Sequence, residues 1–207
     1  MKMLGKAILV AWIASAAAQE TGRFEPKPAA SYPARQTIDN LTIAVEPYES
    51  GEKVKQAFGK VNMAKLGVMP ILVVMANDSD RVLQLEGMRV EFITADQQRI
   101  EPIPAADVER FGQVHPGDVS RTPSPIPGGR GGTRARKLSW EIGARGFVAR
   151  MVPARGTVHG FFYFRIGRTP DRIPGSKVYI TGIRDARSGH DLFYFEISLD
   201  EYVKKGR

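Results

Sequence analysis

Three histidines, His115, His159 and His190, are the only imidazoles in the chain. None has a second histidine three or four residues away, so no helical face offers a chelating pair to a metal. His190-Asp191, with Asp185 nearby, could form a small carboxylate–imidazole site. The adjacent Ser188-Gly189 favours a hairpin turn there instead. Asn77-Asp78-Ser79-Asp80 resembles the start of a calcium loop, but it lacks the glycine at the sixth position and the glutamate at the twelfth. It reads better as an Asx-rich turn. Asn40-Leu41-Thr42 and Asn77-Asp78-Ser79 are formal glycosylation sequons.

Gly128-Gly129-Arg130-Gly131-Gly132 invites a phosphate-loop reading, yet no Gly-Lys-Ser/Thr follows it. No G-x-S-x-G elbow supports a hydrolytic serine. Among the carboxylates Glu86, Glu91, Glu141 and Glu196, strand alternation places Glu91 and Glu196 on solvent faces. The chain has no cysteine, which excludes disulfides, thiol catalysis, Cys-ligated zinc, iron–sulfur clusters and lipoprotein anchoring. No catalytic residue, metal ligand or cofactor is expected.

The remaining candidates are binding residues. Arg121, Arg130, Arg134, Arg136 and Lys137 fall in the stretch 115–137, which carries four Pro, five Gly and a single acid, Asp118. This reads as a long exposed basic loop. Phe161, Tyr163 and Tyr194 are expected on strand faces opposite the core. Two readings stand: an amphipathic helix around 144–152 lies over them and makes a second small core, or they form an open platform for a glycan or protein. The first is favoured, because an inserted helix needs a place to bury its apolar side.

These residues are positioned by a turn-rich chain of 207 residues with 21 Gly, 14 Pro and a net charge of +8. Lys2 and Lys6 precede the apolar run Ala7–Ala18, and Ala16 and Ala18 supply an A-x-A site. Residues 1–18 are therefore expected to be a signal peptide, cleaved before Gln19. The run is 12 residues long, short of the ~20 that cross a bilayer, and no later segment is longer. Without Lys2 and Lys6 the charge falls from +8 to +6, compatible with anionic partners but equally with plain solubility. Residues 19–38 read as a flexible leader, and 39–203 as a single domain.

Within it, Leu41, Ile43 and Val45 alternate with Thr42, Ala44 and Glu46 as a first strand. Ser50 caps a short helix that Gly59 stops, with Val54, Ala57 and Phe58 on one face and Lys53, Lys55 and Lys60 turned away. Val68–Ala76 reads as a central strand. Val82–Leu85 and Met88–Thr94 follow, then one or two helical turns over Ala105–Phe111. Ala144, Phe147, Val148, Met151 and Val152 recur at helical spacing and predict a helix near 140–152. Val158–Ile166, Lys177–Ile183 and Leu192–Leu199 read as strands, the last with Phe193, Phe195, Ile197 and Leu199 on one face.

About seven strands with few helices predict a mainly β fold, an antiparallel β-sandwich with short helical insertions. Tyr48–Gly59 (YESGEKVKQAFG), Met69–Asn77 (MPILVVMAN) and Pro153–Phe164 (PARGTVHGFFYF) carry a resemblance to exported bacterial immunoglobulin-like domain proteins of mostly unassigned function. The last stretch is similar to a P-x-x-x-x-V-x-G-F-x-x-F strand found where such a module closes its sheet. The resemblance implies an immunoglobulin-like sandwich, without the Cys…Trp…Cys spacing of antibody domains, and it carries no catalytic residues.

The expected function is that of a non-catalytic exported protein, periplasmic or secreted, acting as a binding or scaffolding module at the envelope. Its expected partner is an envelope protein, or an anionic polysaccharide or lipid surface, and not nucleic acid. Two alternatives stay open. One is electrostatic binding of anionic lipid or polysaccharide through the 121–137 loop. The other is a hydrolase with a site gathered from distant segments.

Overall fold

A computed structural model of the chain describes residues 24–59, 61, 63–108, 141–166 and 173–205. The expected signal and the basic loop lie outside these residues. Among the described residues there are seven strands of four residues or more and five of two. In chain order the strands are β1 (Arg35–Ile38), β2 (Leu41–Pro47), β3 (Met69–Asn77), β4 (Leu83–Gln84), β5 (Arg89–Ile93), β6 (Arg99–Ile100) and β7 (Pro102–Ile103). They continue with β8 (Met151–Val152), β9 (Thr157–Phe164), β10 (Lys177–Thr181), β11 (Arg184–Asp185) and β12 (Phe195–Ser198). The α-helices are α1 (Gly51–Phe58), α2 (105–108), α3 (141–145) and α4 (Asp200–Lys205). The protein is mainly β, with three antiparallel sheets ordered β1-β2-β3-β9-β7, β12-β10-β5-β6 and β11-β4-β8.

Local chemistry sets these elements. β1 and β2 are joined by Asp39-Asn40 alone, both at positive φ (49° and 64°), as the mirror-image hairpin turn requires. Asx residues accept that backbone at little cost. In α1 the Ser50 hydroxyl accepts the Lys53 N–H, and Gly59, at φ 61°, ends the helix. Val54, Ala57 and Phe58 are buried, as their spacing predicts.

The centre of the five-stranded sheet, β2, β3 and the second half of β9, is buried on both faces. Ile43, Val45, Ile71, Val73, Met75 and Phe164 point into one apolar cluster. The four-stranded sheet fills its other side with Val90, Phe92, Val178, Ile180, Phe195 and Ile197. The intervening residues, Ala44, Leu72, Val74, Phe161 and Tyr163, enter a second cluster. That cluster is covered by α1, by Val108 of α2, by Ile142 of α3 and by Ala29 and Tyr32. Two-sided burial is why MPILVVMAN reads as a continuous apolar run and not as an alternation. Where the outer edges of the two larger sheets meet, the Gln36 amide oxygen of β1 accepts the Glu196 N–H of β12 at 2.8 Å.

Two expectations are corrected here. Residues 24–38 do not behave as a leader. Ala29, Tyr32 and Ala34 are buried, the Val45 N–H donates to the Ala34 carbonyl, and β1 starts at Arg35. Proline-rich composition suggested too little apolar material to fold, but Phe24 and Tyr32 anchor the segment on the second cluster. The helix near 140–152 stops at Arg145. Gly146 then bridges Phe161 in parallel, the Phe147 N–H donates to the Phe161 carbonyl, and β8 pairs with β4. Val148, expected on the apolar face, is 79% exposed.

Gly160 explains the switch to extended chain. A Cβ there would lie 2.4 Å from the Phe147 Cα and 2.7 Å from its nitrogen. The missing side chain admits the 146–147 backbone against β9, where it gains strand-like hydrogen bonds, and Phe147 stacks on Phe162 at 5.0 Å. Gly160→Ala is expected to cost about 2–3 kcal/mol by overpacking backbone against backbone. Gly143→Ala, with nothing near its would-be Cβ, should be neutral or stabilising by up to about 1 kcal/mol, from helix propensity. Urea unfolding of the two variants measures both.

Candidate functional site

Phe161 and Tyr163 do not face solvent. Each is 2% exposed in the second cluster. Phe161 packs against Phe58, Tyr48 and Phe24 with centroids 4.7, 4.9 and 5.2 Å away. The Tyr163 hydroxyl donates to the Ile142 carbonyl at 2.7 Å, which fastens α3 to β9. Arg145 lies over the rings of Phe24 and Phe58.

Tyr194 is separate from these two. It is 53% exposed, and its neighbour Phe193 is 75% exposed. Alternation expects Phe193 inside with Phe195, Ile197 and Leu199, but β12 begins only at Phe195. Leu192 is buried, with its N–H bonded to the Ile183 carbonyl, and Phe195 is buried too. Two consecutive aromatics therefore turn outward between two core residues, which breaks the period-two pattern.

Tyr194 stands beside Tyr179 of β10, ring centroids 5.4 Å apart and planes tilted by 31°. The Arg99 guanidinium lies 5.3 Å from the Tyr179 centroid. The register puts Glu91 and Glu196 on either side of Tyr179. Arg99 pairs with Glu91 at 2.6 Å, and Lys177 with Glu196 at 2.8 Å. Arg184 grips Asp191 through two nitrogens, at 2.8 and 3.4 Å. The hydrogen bond from Arg184 holds the Asp191 carboxyl below the usual carboxylate range. Strand alternation placed Glu91 and Glu196 outward correctly, but it missed Phe193, Tyr179 and Arg99 as site residues. The available signal was the unbroken run Leu192-Phe193-Tyr194-Phe195, which no single strand face can bury.

The other polar candidates serve the fold. The buried Asn77 amide donates to the Arg81 and Pro153 carbonyls, and its oxygen accepts the Ser79 N–H and hydroxyl. It ties the end of β3 to the start of the β9 segment, so the first residue of that sequon has both amide protons engaged in the interior. Asp80 pairs with Arg155 through two bonds. Asp185 accepts the Arg187 and Ser188 N–H groups and pairs with Arg81, so it organises the turn before His190. Among the described residues no group of three or more His, Cys, Asp or Glu could hold a metal ion, and no helix is long and apolar enough to cross a membrane. Arg121, Arg130, Arg134, Arg136 and Lys137 lie outside the described residues.

A titratable cluster joins β2, α1 and α4. Lys53, expected to face away, reaches Glu46 at 2.6 Å and the Tyr202 hydroxyl at 3.1 Å. Tyr202 in turn donates to Glu49 at 3.2 Å. Burial works against the Lys53 ammonium, but the bonds to Glu46 and Tyr202 outweigh it and raise its pKa. Burial raises Tyr202 despite Lys53, and it raises Tyr48 with help from the Glu46 carboxylate. Burial raises Tyr163 as well, against the opposing charge of Arg145. The helix α4 was not read from the sequence, although Asp200-Glu201 at its start suit the helix dipole.

No protein-family model matches the chain, and no curated protein matches it.

Because Lys53, Tyr48, Tyr163 and Tyr202 all have raised pKa values in the fold, the stability they carry is complete below their unfolded values, about 10 for tyrosine. It is lost as pH rises through the folded ones. The melting temperature should therefore fall steeply once the pH passes about 10. Tyr163→Phe should melt lower at neutral pH by the worth of one hydrogen bond, about 1 kcal/mol, and lose less between neutral and alkaline pH. Circular-dichroism melts across that range test both.

Proposed function

We propose that the chain is a non-catalytic exported binding module built on an immunoglobulin-like β-sandwich. The sandwich reading is supported by two antiparallel sheets that share one apolar cluster. Export rests on the charged, apolar and A-x-A pattern of residues 1–18. The binding reading is carried by a single observation: Phe193 and Tyr194 are held outward, one after the other, between buried Leu192 and Phe195. A soluble fold gains nothing from exposing two adjacent aromatic rings, whereas rigid rings with few rotatable bonds make inexpensive contact surface. The buried polar side chains described above are engaged in holding turns and segments together, which supports a module without chemistry of its own.

The double variant Phe193→Ala/Tyr194→Ala should keep its unfolding free energy within about 0.5 kcal/mol, since exposed side chains contribute little to stability. It should also lose retention on isolated cell-envelope material. Phe161→Ala should instead lose about 3–5 kcal/mol, and any binding defect it shows would report unfolding. Retention of the double variant equal to that of the parent would remove this reading. Urea melts and envelope co-sedimentation make the comparison.

A further inference from the structure

The geometry points to a neutral, polyhydroxylated sugar chain as the occupant of the face formed by Tyr179 and Tyr194, next to exposed Phe193 in the chain; this rests on the binding-module reading above. The first argument is charge. Tyr179, which Tyr194 adjoins, lies among ions that are already matched: Arg99 with Glu91 and Lys177 with Glu196. Arg89, opposite Thr181 on the same face, adds one further cation. The face is thus close to balance on a chain of net charge +8. An anionic ligand would find one cation, Arg89, outside these pairs, and recognition of any further charge would have to break a pair, whereas a neutral ligand breaks none.

The second argument is surface chemistry. Tyr179 and Tyr194 are held by the outer side of a sheet with their rings 5.4 Å apart. The apolar C–H face of a sugar ring can lie on such rings, while its hydroxyls exchange hydrogen bonds with the paired carboxylates and guanidinium groups around them. A protein partner would need about 800 Å² of complementary surface with an apolar centre. Here the Tyr179 ring, with Tyr194 against it, is flanked by the Arg99–Glu91 and Lys177–Glu196 pairs. A lipid surface would need a surplus of cations that this face lacks.

The test is co-sedimentation of the purified protein with insoluble cellulose, chitin and starch as neutral probes, at low salt and at about 1 M salt, where charges are screened within ~3 Å. The expected result is binding to at least one polymer, unchanged by salt. Tyr194→Ala and Tyr179→Ala should each weaken it about tenfold, the worth of one ring contact, while Tyr194→Phe should retain it. Circular-dichroism melts confirm that the variants are folded. Binding abolished by salt, or equal in the alanine variants, overturns the proposal. Envelope retention that needs Phe193 and Tyr194, combined with no binding to any of the three polymers, overturns the sugar assignment and leaves the binding module standing. Loss of both overturns the two together.

Discussion

The pairing of β3 with β9, covered on both sides from Gly160 to Phe164, is the constraint on which the rest of the molecule depends. Eight consecutive residue pairs join these strands, from Met69 with Phe164 to Ala76 with Thr157. Because β3 and the Phe161–Phe164 half of β9 are largely withdrawn from water on both faces, their side chains must be accommodated by other elements. One side calls for a second sheet, and β5, β10 and β12 supply it. The other calls for a cover, which the helices and the segment 24–34 supply. Phe161 and Tyr163 are therefore part of the core, and their burial fixes where α1 and α3 can sit.

The same constraint decides what the sequence made legible. The dense run Val68–Ala76 announced a central strand, and Ser50 and Gly59 marked both ends of α1, because a cap and a stop act locally. Alternation along 158–166 set Phe161 and Tyr163 opposite the main core, and the structure sends them into one cluster and Phe164 and Ile166 into the other. Two errors came from patterns that local periodicity cannot resolve. Ala144 to Val152 matched helical spacing, but the deciding partner was Gly160 in another strand. Phe193 matched the strand parity of Phe195, but Leu192 takes the inward position through its bond to Ile183.

The candidate face was only half legible for a related reason. Tyr194 could be marked as outward-facing from its parity alone. Tyr179 and Arg99 become its neighbours only through the order β12-β10-β5-β6, which brings together residues from positions 99, 179 and 194. No local signal carries that pairing. Likewise Lys53 reads as a solvated lysine until α4 returns across it with Tyr202, closing a polar cluster between segments at opposite ends of the described chain.

The contact between Gln36 and Glu196 has a consequence for the open margin of the sheets. A strand at the rim of a sheet offers backbone groups to any extended peptide that drifts by, and growth of that kind leads to aggregates. Here the outward N–H of Glu196 is already taken, and the group that takes it is a side-chain amide from the neighbouring rim. The substitute completes one rung without presenting a new one. Self-propagating strand addition is denied a starting point at that place by one glutamine.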